Sequence, residues 1–257
     1  MCGVVGWLDH RRSRGLQNDA EAVLERMRES LAHRGPDDFG SWLSQSGQVA
    51  LANRRLSIVD LSERARQPMV SETADIVLSY NGEVYNHLEL RHRLKQLGYR
   101  FRSDCDTETV LYAFEEWGID CITRFKGQFA FAVWDGRTQT MYLARDRVGL
   151  QPMYFYSKDG LVIFGSEIRS ILRHPAVEAE INFGTMYQFL VMHAPAPPFT
   201  VLKSIYAVPA GAYVSCRAGE MPRLQRYWTL LDEVGKHDFT GRTELQIADQ
   251  LRETLME

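Results

Sequence analysis

Two Asp-Gly pairs, each between short β-rich runs, constrain the fold of this sequence more than any other feature. The runs and pairs are, in chain order, 128–134, Asp135-Gly136, 140–144, 153–156, Asp159-Gly160 and 161–164. An Asp-Gly pair between two such runs is a strong signal for a tight hairpin turn. Hairpins join antiparallel neighbours, whereas parallel strands need a long crossover. This region therefore predicts antiparallel sheet.

The remaining elements keep helices and strands in separate groups. Apolar stripes at intervals of three and four residues, together with end signals, predict helices at 18–33, 86–98, 106–117, 167–172, 182–191 and 243–257. Further strands are predicted at 2–8, 48–56, 76–80, 212–216 and 224–228. Strands kept apart from grouped helices predict an α+β fold and not alternating βαβ units.

Two local signals give sharper predictions at element ends. Asn81-Gly82 directly follows the run 76–80 and predicts a turn that ends this strand. Asn86, with Glu89 three residues on, predicts a capping box at the start of the helix that follows.

Charge and composition exclude several classes of partner. The chain carries 30 Lys and Arg against 33 Asp and Glu, so its net charge of −3 gives no electrostatic argument for nucleic acid or an anionic membrane. Hydrophobic residues at 45% and charged residues at 25% are ordinary for a globular protein. No apolar run reaches the roughly 18–20 residues that span a bilayer, and no signal peptide precedes the first strand. We expect neither nucleic acid nor membrane as a partner.

The cysteines and histidines show no metal or disulfide pattern. The 4 cysteines are irregularly spaced with no CxxC pair, and the 7 histidines include no pair at metal-ligand spacing. No P-loop is present, and no glycine-rich dinucleotide fingerprint follows a strand. The sequence predicts a reduced, cytoplasmic protein that binds no metal or cofactor through this chain.

Cys2 is unusual because it follows the initiator methionine. A small residue in this place permits removal of Met1, which would give Cys2 a free α-amine with a reference pKa of about 7.7–8.0. One residue would then supply both a thiol nucleophile and the base that accepts its proton. On position alone the alternative stays open and is the commoner situation: a buried, unreactive cysteine at the start of a strand.

Several separate segments follow one another in an order that resembles a known family. They are 2–6 (CGVVG), 33–37 (HRGPD), 54–60 (RRLSIVD), 67–69 (QPM), 81–87 (NGEVYNH), 106–108 (DTE), 127–132 (GQFAFA), 144–147 (ARDR) with Gly149 and Pro152, and 166–168 (SEI). In order and spacing the set resembles the class II glutamine amidotransferase domain of glutamine-hydrolysing asparagine synthetases, a branch of the N-terminal-nucleophile hydrolases. The resemblance implies a four-layer αββα sandwich, two antiparallel sheets between helices, with Cys2 at the end of a central strand.

The resemblance also implies a chemistry for the matched residues. Cys2 would attack the side-chain amide carbon of glutamine, release ammonia and leave a γ-glutamyl thioester, which water hydrolyses to glutamate. The Asn81 side-chain amide and the Gly82 backbone N–H would form the oxyanion hole. Without the family context, an Asn-Gly pair is simply a tight turn.

Substrate glutamine is a zwitterion, and the resemblance assigns a residue to each charge. Arg55 would bind the α-carboxylate, a task suited to a planar fork of donors. Asp106, aided by Glu83 and the Gly82 carbonyl, would receive the α-ammonium group. The alternatives are a surface arginine for Arg55 and a helix N-cap for Asp106, which could also hold together with binding. By resemblance, backbone groups of Leu56, Ser57, Ile58 and Val59 would line the same pocket.

One departure concerns Gln151, which stands where relatives often have a lysine before the proline of the Gly-x-x-Pro segment. We expect this position to lie away from the glutamine-binding residues, so the change bears on the subfamily more than on activity.

The resemblance divides the chain into two parts. Residues 1–228 are predicted to be a glutaminase domain, and residues 229–257 a linker and the first helix of a truncated ATP-dependent synthetase domain. ATP and Mg²⁺ are expected only for that missing domain. The expected partners are L-glutamine and the C-terminal synthetase domain of the same protein, with a homodimer left open.

Two other functions remain open at this point. The domain could belong to another synthetase-like enzyme that acts on a polysaccharide, peptide or osmolyte precursor. It could also be a catalytically silent domain used for assembly or regulation.

Overall fold

The computed structural model describes residues 1–11, 17–57, 60, 62–217, 220–234 and 240–256. The chain separates into two compact units, Met1–Tyr227 and Trp228–Glu257. All strands below lie in the first unit, which is described on its own.

Two six-stranded antiparallel sheets form the centre of the first unit's described part. The strands are β1 Gly3–Asp9, β2 Asp38–Leu43, β3 Val49–Arg55, β4 Met69–Val70, β5 Ile76–Val84, β6 Gly127–Asp135, β7 Thr140–Arg145, β8 Tyr154–Lys158, β9 Leu161–Gly165, β10 Ile205–Ala207, β11 Ala212–Arg217 and β12 Arg223–Arg226. The first sheet has the order β10-β8-β9-β1-β3-β2, and the second has the order β12-β11-β7-β6-β5-β4. β1 lies inside its sheet, paired with β3 on one side and β9 on the other.

Helices cover the outer faces of both sheets. The described α-helices of the first unit are α1 Gln17–Glu29, α2 His87–Gln96, α3 Asp106–Trp117, α4 Ile168–Ile171 and α5 Phe183–Met192; α6 Glu244–Met256 belongs to the second unit. The apolar stripe of α1, which includes Ala20, Leu24 and Met27, packs with α4 on the first sheet. α2 and α3 pack in the same way on the second sheet. None of the described helices has the length and apolar character needed to cross a membrane.

A third apolar cluster lies between the two sheets. Val4 and Leu8 of β1 pack here with Ala130 of β6 and Leu143 of β7. Sheets that bury one face against each other and the other face under helices produce four layers. The predicted αββα sandwich is confirmed.

The hairpins predicted from the Asp-Gly pairs are present. β8 and β9 pair up to Lys158 and Leu161, so Asp159 and Gly160 alone form the turn. Their φ angles of 50° and 77° are both positive, as the tight two-residue hairpin requires. The first Asp-Gly pair starts the longer turn between β6 and β7.

The turn predicted at Asn81-Gly82 is wrong. β5 continues through both residues to Val84, and Gly82 pairs with Phe129 of β6. A Cβ atom at Gly82 would lie 2.3 Å from the Gln128 carbonyl oxygen. Glycine here allows close approach of two strands, which is its other common use inside a strand.

The capping box predicted at Asn86 is also wrong in its bonding. Asn86 is the N-cap residue of α2, but its side chain makes no capping hydrogen bond. Its Nδ2 donates to the Arg124 carbonyl at 3.1 Å, and its Oδ1 accepts from the Lys126 amide at 2.9 Å. The side chain joins the helix to the segment before β6, a tertiary contact that competes with local capping.

Candidate active site

A cavity of about 150 Å³ opens beside Cys2, where ends of strands from both sheets meet the first turn of α3. Of the predicted site residues, it is lined by Cys2, Arg55, Leu56, Asn81, Gly82, Glu83 and Asp106. Ser57 is described but does not line the cavity; its amide donates to Asp37 Oδ2 at 2.8 Å. Ile58 and Val59 fall outside the described residues.

Cys2 is held at the mouth of the cavity by contacts on its nitrogen, sulfur and carbonyl. Its nitrogen donates to Asn81 Oδ1 at 2.8 Å, and its Sγ lies 3.9 Å from the Leu56 carbonyl oxygen. Its carbonyl accepts from Arg34 Nε at 3.0 Å. The first residue before β1 therefore has a fixed backbone, with its thiol facing the cavity.

A charged cluster behind Cys2 supports this backbone position. Glu167 Oε1 accepts from Arg34 Nη1 at 3.2 Å and lies 2.8 Å from His33 Nε2. Burial alone would raise the pKa of Glu167, but the hydrogen bonds from His33, Arg169 and Arg34 bring it below its ordinary value. A carboxylate that stays charged keeps Arg34 aligned on the Cys2 carbonyl.

Burial raises the pKa of the Cys2 thiol above its ordinary value. The hydrogen bond to Leu56 and the positive charges of the amino terminus and Arg55 oppose that shift, and the charge of Asp106 adds to it. The thiol is consequently neutral at pH 7. To act as a nucleophile it must lose its proton to a neighbouring base.

Arg55 provides a positive charge on one wall of the cavity. It is the last residue of β3, only 7% of its surface is exposed, and its Nη2 donates to the Asp60 carbonyl. The Asp60 carboxylate accepts from the amides of Ser62 at 2.8 Å and Asp104 at 3.0 Å. The side-chain and backbone hydrogen bonds from Ser62 lower the pKa of Asp60. Asp60, whose carbonyl accepts from the Arg55 guanidinium, is thus itself fixed by hydrogen bonds.

Asp106 and Glu83 place negative charge on the same cavity. Asp106 is the first residue of α3 and is 7% exposed, and its Oδ2 accepts from Tyr80 Oη at 2.6 Å and from the Val84 amide at 3.0 Å. Burial raises the pKa of Asp106, against these hydrogen bonds. Burial and the charge of Asp106 also raise the pKa of Glu83.

The N-cap alternative for Asp106 is wrong, because Cys105 occupies the N-cap position of α3. The carboxylate instead faces Tyr80 and the end of β5. With Arg55 also in the lining, the cavity presents both charges that a free amino acid needs.

Gln151 lies in the cavity and not away from it, so the expectation for this residue is wrong. Its Oε1 accepts from Asn81 Nδ2 at 2.7 Å, and its Nε2 donates to Gln128 Oε1 at 2.9 Å. The residue follows a loop whose path the motif spacing does not reveal. No pattern in the sequence indicated the contact.

Gln67 is a second lining residue to which sequence reasoning gave no role. Its Oε1 accepts from the Tyr80 amide at 2.6 Å and from Asn53 Nδ2 at 3.3 Å. The position of this glutamine beside proline in one of the family segments was the available signal.

Among the described residues, no group of three or more His, Cys, Asp or Glu is placed to hold a metal ion.

Comparison with known proteins agrees with this geometry. The family model described as "Glutamine amidotransferase domain" matches residues 1–228. Asparagine synthetase [glutamine-hydrolyzing] 3 of Bacillus subtilis is 36% identical over 240 residues, covering 91% of this chain and 37% of that protein. Amidase chry2 of Gibberella zeae is 32% identical over 268 residues, covering the whole chain and 38% of that protein. The chain thus spans about two fifths of the length of these curated relatives.

Solved structures share the fold at low sequence identity. The glutamine phosphoribosylpyrophosphate amidotransferase of B. subtilis matches with a TM-score of 0.59 and 17% identity, over 89% of this chain and half of that one. The N-terminal-nucleophile hydrolase fold predicted from the sequence is confirmed. The chain belongs to the glutamine amidotransferase domain family and is similar to the corresponding domains of asparagine synthetases.

Proposed function

We propose that this domain hydrolyses L-glutamine to glutamate and ammonia with Cys2 as the nucleophile. The observation that supports this most is the position of Cys2, whose thiol faces a cavity lined by Arg55 and Asp106, with Asn81 hydrogen-bonded to its nitrogen. Thiol, amide donor and both charges come from separate parts of the chain, and they meet at one place.

The proposed reaction needs removal of Met1, because the nitrogen of Cys2 is otherwise an amide with no basic lone pair. The free amine takes the thiol proton, and the sulfur attacks the side-chain amide carbon of glutamine. The oxyanion receives hydrogen bonds from Asn81 Nδ2 and the Gly82 backbone N–H. The amine then returns the proton to the leaving nitrogen, ammonia departs, and a thioester remains. Water, deprotonated by the same amine, hydrolyses this thioester to glutamate.

Substrate binding follows from the charges of the cavity. Arg55 binds the α-carboxylate, while Asp106, Glu83 and the Gly82 carbonyl bind the α-ammonium group. Backbone groups of residues 56–59 complete the pocket in this proposal. Burial of both charged walls makes each ion pair stronger than it would be in water.

We further propose that the ammonia serves an ATP-dependent, amide-forming domain of the same protein. Support comes from the curated relatives, which are more than twice as long as this chain and include glutamine-hydrolysing asparagine synthetases. ATP and Mg²⁺ belong to that second domain in this proposal, with residues 229–257 leading into it.

All 4 cysteines are unpaired in the structure, in keeping with a reducing compartment such as the cytoplasm.

A different ammonia acceptor is the second candidate. The match to amidase chry2 covers the whole chain at an identity close to that of the asparagine synthetases. The silent-domain alternative is less well supported, because Cys2, Arg55, Asn81 and Asp106 all line one cavity.

Ammonia release from glutamine tests the proposal. The wild-type protein should release ammonia and glutamate in equal amounts, and Cys2→Ala should release neither. Cys216→Ala, which changes a thiol outside the cavity lining, is the matched control and should keep wild-type activity. Equal release by wild type and Cys2→Ala, or no release by either, would overturn the proposal.

A further inference from the structure

Three side-chain amides form a relay that ends at the nitrogen of Cys2. Gln151 Nε2 donates to Gln128 Oε1 at 2.9 Å, and Asn81 Nδ2 donates to Gln151 Oε1 at 2.7 Å. Cys2 N in turn donates to Asn81 Oδ1 at 2.8 Å. Asn81 and Gln151 each accept on one side and donate on the other, so the dipoles of these two amides point the same way.

The loop that carries Gln151 is anchored independently of the cavity. The buried Asp146 carboxylate accepts from the backbone amides of Val148, Leu150 and Gln151 at 3.2, 3.0 and 2.9 Å. Arg145 donates to the carbonyls of Gly149 at 2.6 Å and Gln151 at 2.7 Å. A carboxylate on the amides and a guanidinium on the carbonyls leave this loop little freedom. Gln151 itself is only 4% exposed.

The orientation of the Asn81 amide decides what this residue can do. With Oδ1 toward Cys2, Asn81 accepts a hydrogen from the amine and leaves the amine lone pair for the thiol proton. One hydrogen of Nδ2 is used by Gln151, and the second remains for the oxyanion. A reversed amide would point two donors at the amine and remove the oxyanion donor.

We propose that Gln151 is a positioning residue that sets this orientation, by offering an acceptor to Asn81 Nδ2 from a fixed loop. The inference rests on the proposed function, since it assigns Asn81 to the oxyanion hole. A reversed Asn81 would place Oδ1 against Gln151 Oε1, two acceptors at hydrogen-bond distance. If Gln151 were reversed as well, its Nε2 would face Asn81, but its Oε1 would then face Gln128 Oε1, which again brings two acceptors together.

The test replaces Gln151 with methionine, which has a similar side-chain length but no amide oxygen to accept from Asn81. In protein that starts at Cys2, Gln151→Met should lower kcat for glutamine hydrolysis about tenfold, a part of the 100- to 1,000-fold that loss of an oxyanion donor costs. KM for glutamine should stay within about twofold, because Gln151 binds no substrate charge in this scheme. Gln96→Met, an exposed glutamine at the end of α2, is the matched control and should behave as wild type.

A double-mutant cycle separates positioning from general support of the fold. In an Asn81→Ala background, Gln151→Met should change kcat by less than about twofold, because the group it positions is gone. Equal losses in both backgrounds, a rise in KM that accounts for the loss, or wild-type kcat in Gln151→Met would each overturn the inference.

Gln128→Met removes the other end of the relay and decides the question if Gln151→Met does not fold. It should lower kcat in the wild-type background and not in the Asn81→Ala background; any other pattern would overturn the inference. Failure of the proposed function is a separate outcome, because the wild-type protein would then release no ammonia.

Discussion

At the scale of single residues, Arg55 and its neighbour Arg54 offer a direct test of substrate binding. Arg55→Lys keeps the charge and loses the planar fork, so it should weaken binding of the α-carboxylate by about 1.5–3 kcal/mol and raise KM roughly tenfold to a hundredfold. Steady-state kinetics with glutamine measure this change. kcat should fall less than KM rises.

Arg54→Lys is the control on the same strand. The Arg54 guanidinium lies near Glu29 Oε2 at 3.7 Å and over the Phe39 ring, outside the cavity. This variant should keep the wild-type KM. A larger KM increase in Arg54→Lys than in Arg55→Lys would contradict the assignment of Arg55.

Asp106 predicts how binding depends on pH. Burial raises its pKa, so as pH falls the carboxylate becomes neutral at a higher pH than an exposed aspartate does. The α-ammonium group of glutamine then loses its counter-charge, and kcat/KM should decline on the acid side at a pH above the ordinary aspartate pKa. Asp106→Asn should raise KM at neutral pH and remove this limb, while the separate limb caused by protonation of the Cys2 amine stays.

The same shift has a consequence for stability. Because the folded-state pKa lies above the unfolded-state value, the ionised carboxylate lowers stability at every pH above the folded-state pKa, and this cost disappears as pH falls below the unfolded-state pKa. Asp106→Asn should therefore have a thermal midpoint at pH 7 equal to or above that of wild type. A clear drop in the midpoint would show that Asp106 mainly supports the fold.

At the scale of elements, two glycines test how closely β5, the strand that carries Asn81, packs against β6. Gly82 is crowded by the neighbouring strand, whereas Gly184 has space around it. A Cβ at Gly82 would lie 2.3 Å from a backbone oxygen of β6, so Gly82→Ala should separate β5 from β6, costing about 1–3 kcal/mol of stability and most of the activity. At Gly184 in α5 the nearest atom is the Asn182 side-chain oxygen at 3.6 Å. Gly184→Ala should stabilise the protein by up to about 1 kcal/mol.

Chemical denaturation of both variants checks this pair of predictions. If both alanines have the same effect, the close approach of β5 and β6 does not restrict position 82. The activity of Gly184→Ala should match wild type, since α5 contributes no residue to the cavity lining.

Elements formed by local interactions could be predicted from the sequence, whereas element ends set by long-range strand pairing could not. The hairpin at Asp159-Gly160 is a local event, since the turn needs two positive φ angles and these two residues tolerate them. The end of β5 is not set locally: Asn81-Gly82 has turn chemistry, yet β5 stays paired with β6 through both residues to Val84. Long-range pairing overrides local preference there, and a single sequence does not show it.

The same distinction between local and long-range contacts applies to the residues of the candidate site. Cys2, Arg55 and Asp106 were predicted to lie together because each belongs to a segment of the family pattern, and all three line one cavity although they are far apart in the chain. Gln151 was placed wrongly because its position depends on two hydrogen bonds that fix the loop beside β5: its amide donates to Asp146, and its carbonyl accepts from Arg145. Such a path follows from three-dimensional contacts between side chain and backbone, which residue spacing does not show.

At the scale of the whole molecule, the first unit should be independent of the second. All residues of the three apolar clusters precede Trp228. A protein ending at Tyr227 should therefore keep its thermal midpoint within about 3 °C, which corresponds to roughly 1 kcal/mol for a domain of this size. It should also keep its kcat/KM for glutamine.

Differential scanning calorimetry and the ammonia assay on the shortened protein check this. Limited proteolysis of the full chain provides a second measurement, in which a stable fragment ending near residue 228 should accumulate. A fragment that is inactive or that unfolds well below the full chain would place part of the core beyond Tyr227.

The interior position of β1 has a consequence for how the chain is made. Val5 pairs with Ala52 on one side and with Gly165 on the other, 160 residues further along the chain. A ribosome adds about 5–20 residues per second, so the amino terminus is synthesised roughly 10–30 s before its sheet can be completed. Until then β1 can pair only with β3, so the sheet closes around β1 only after β9 has been made. Completion of the first sheet is therefore a late event in synthesis, although the strand inside it is made first.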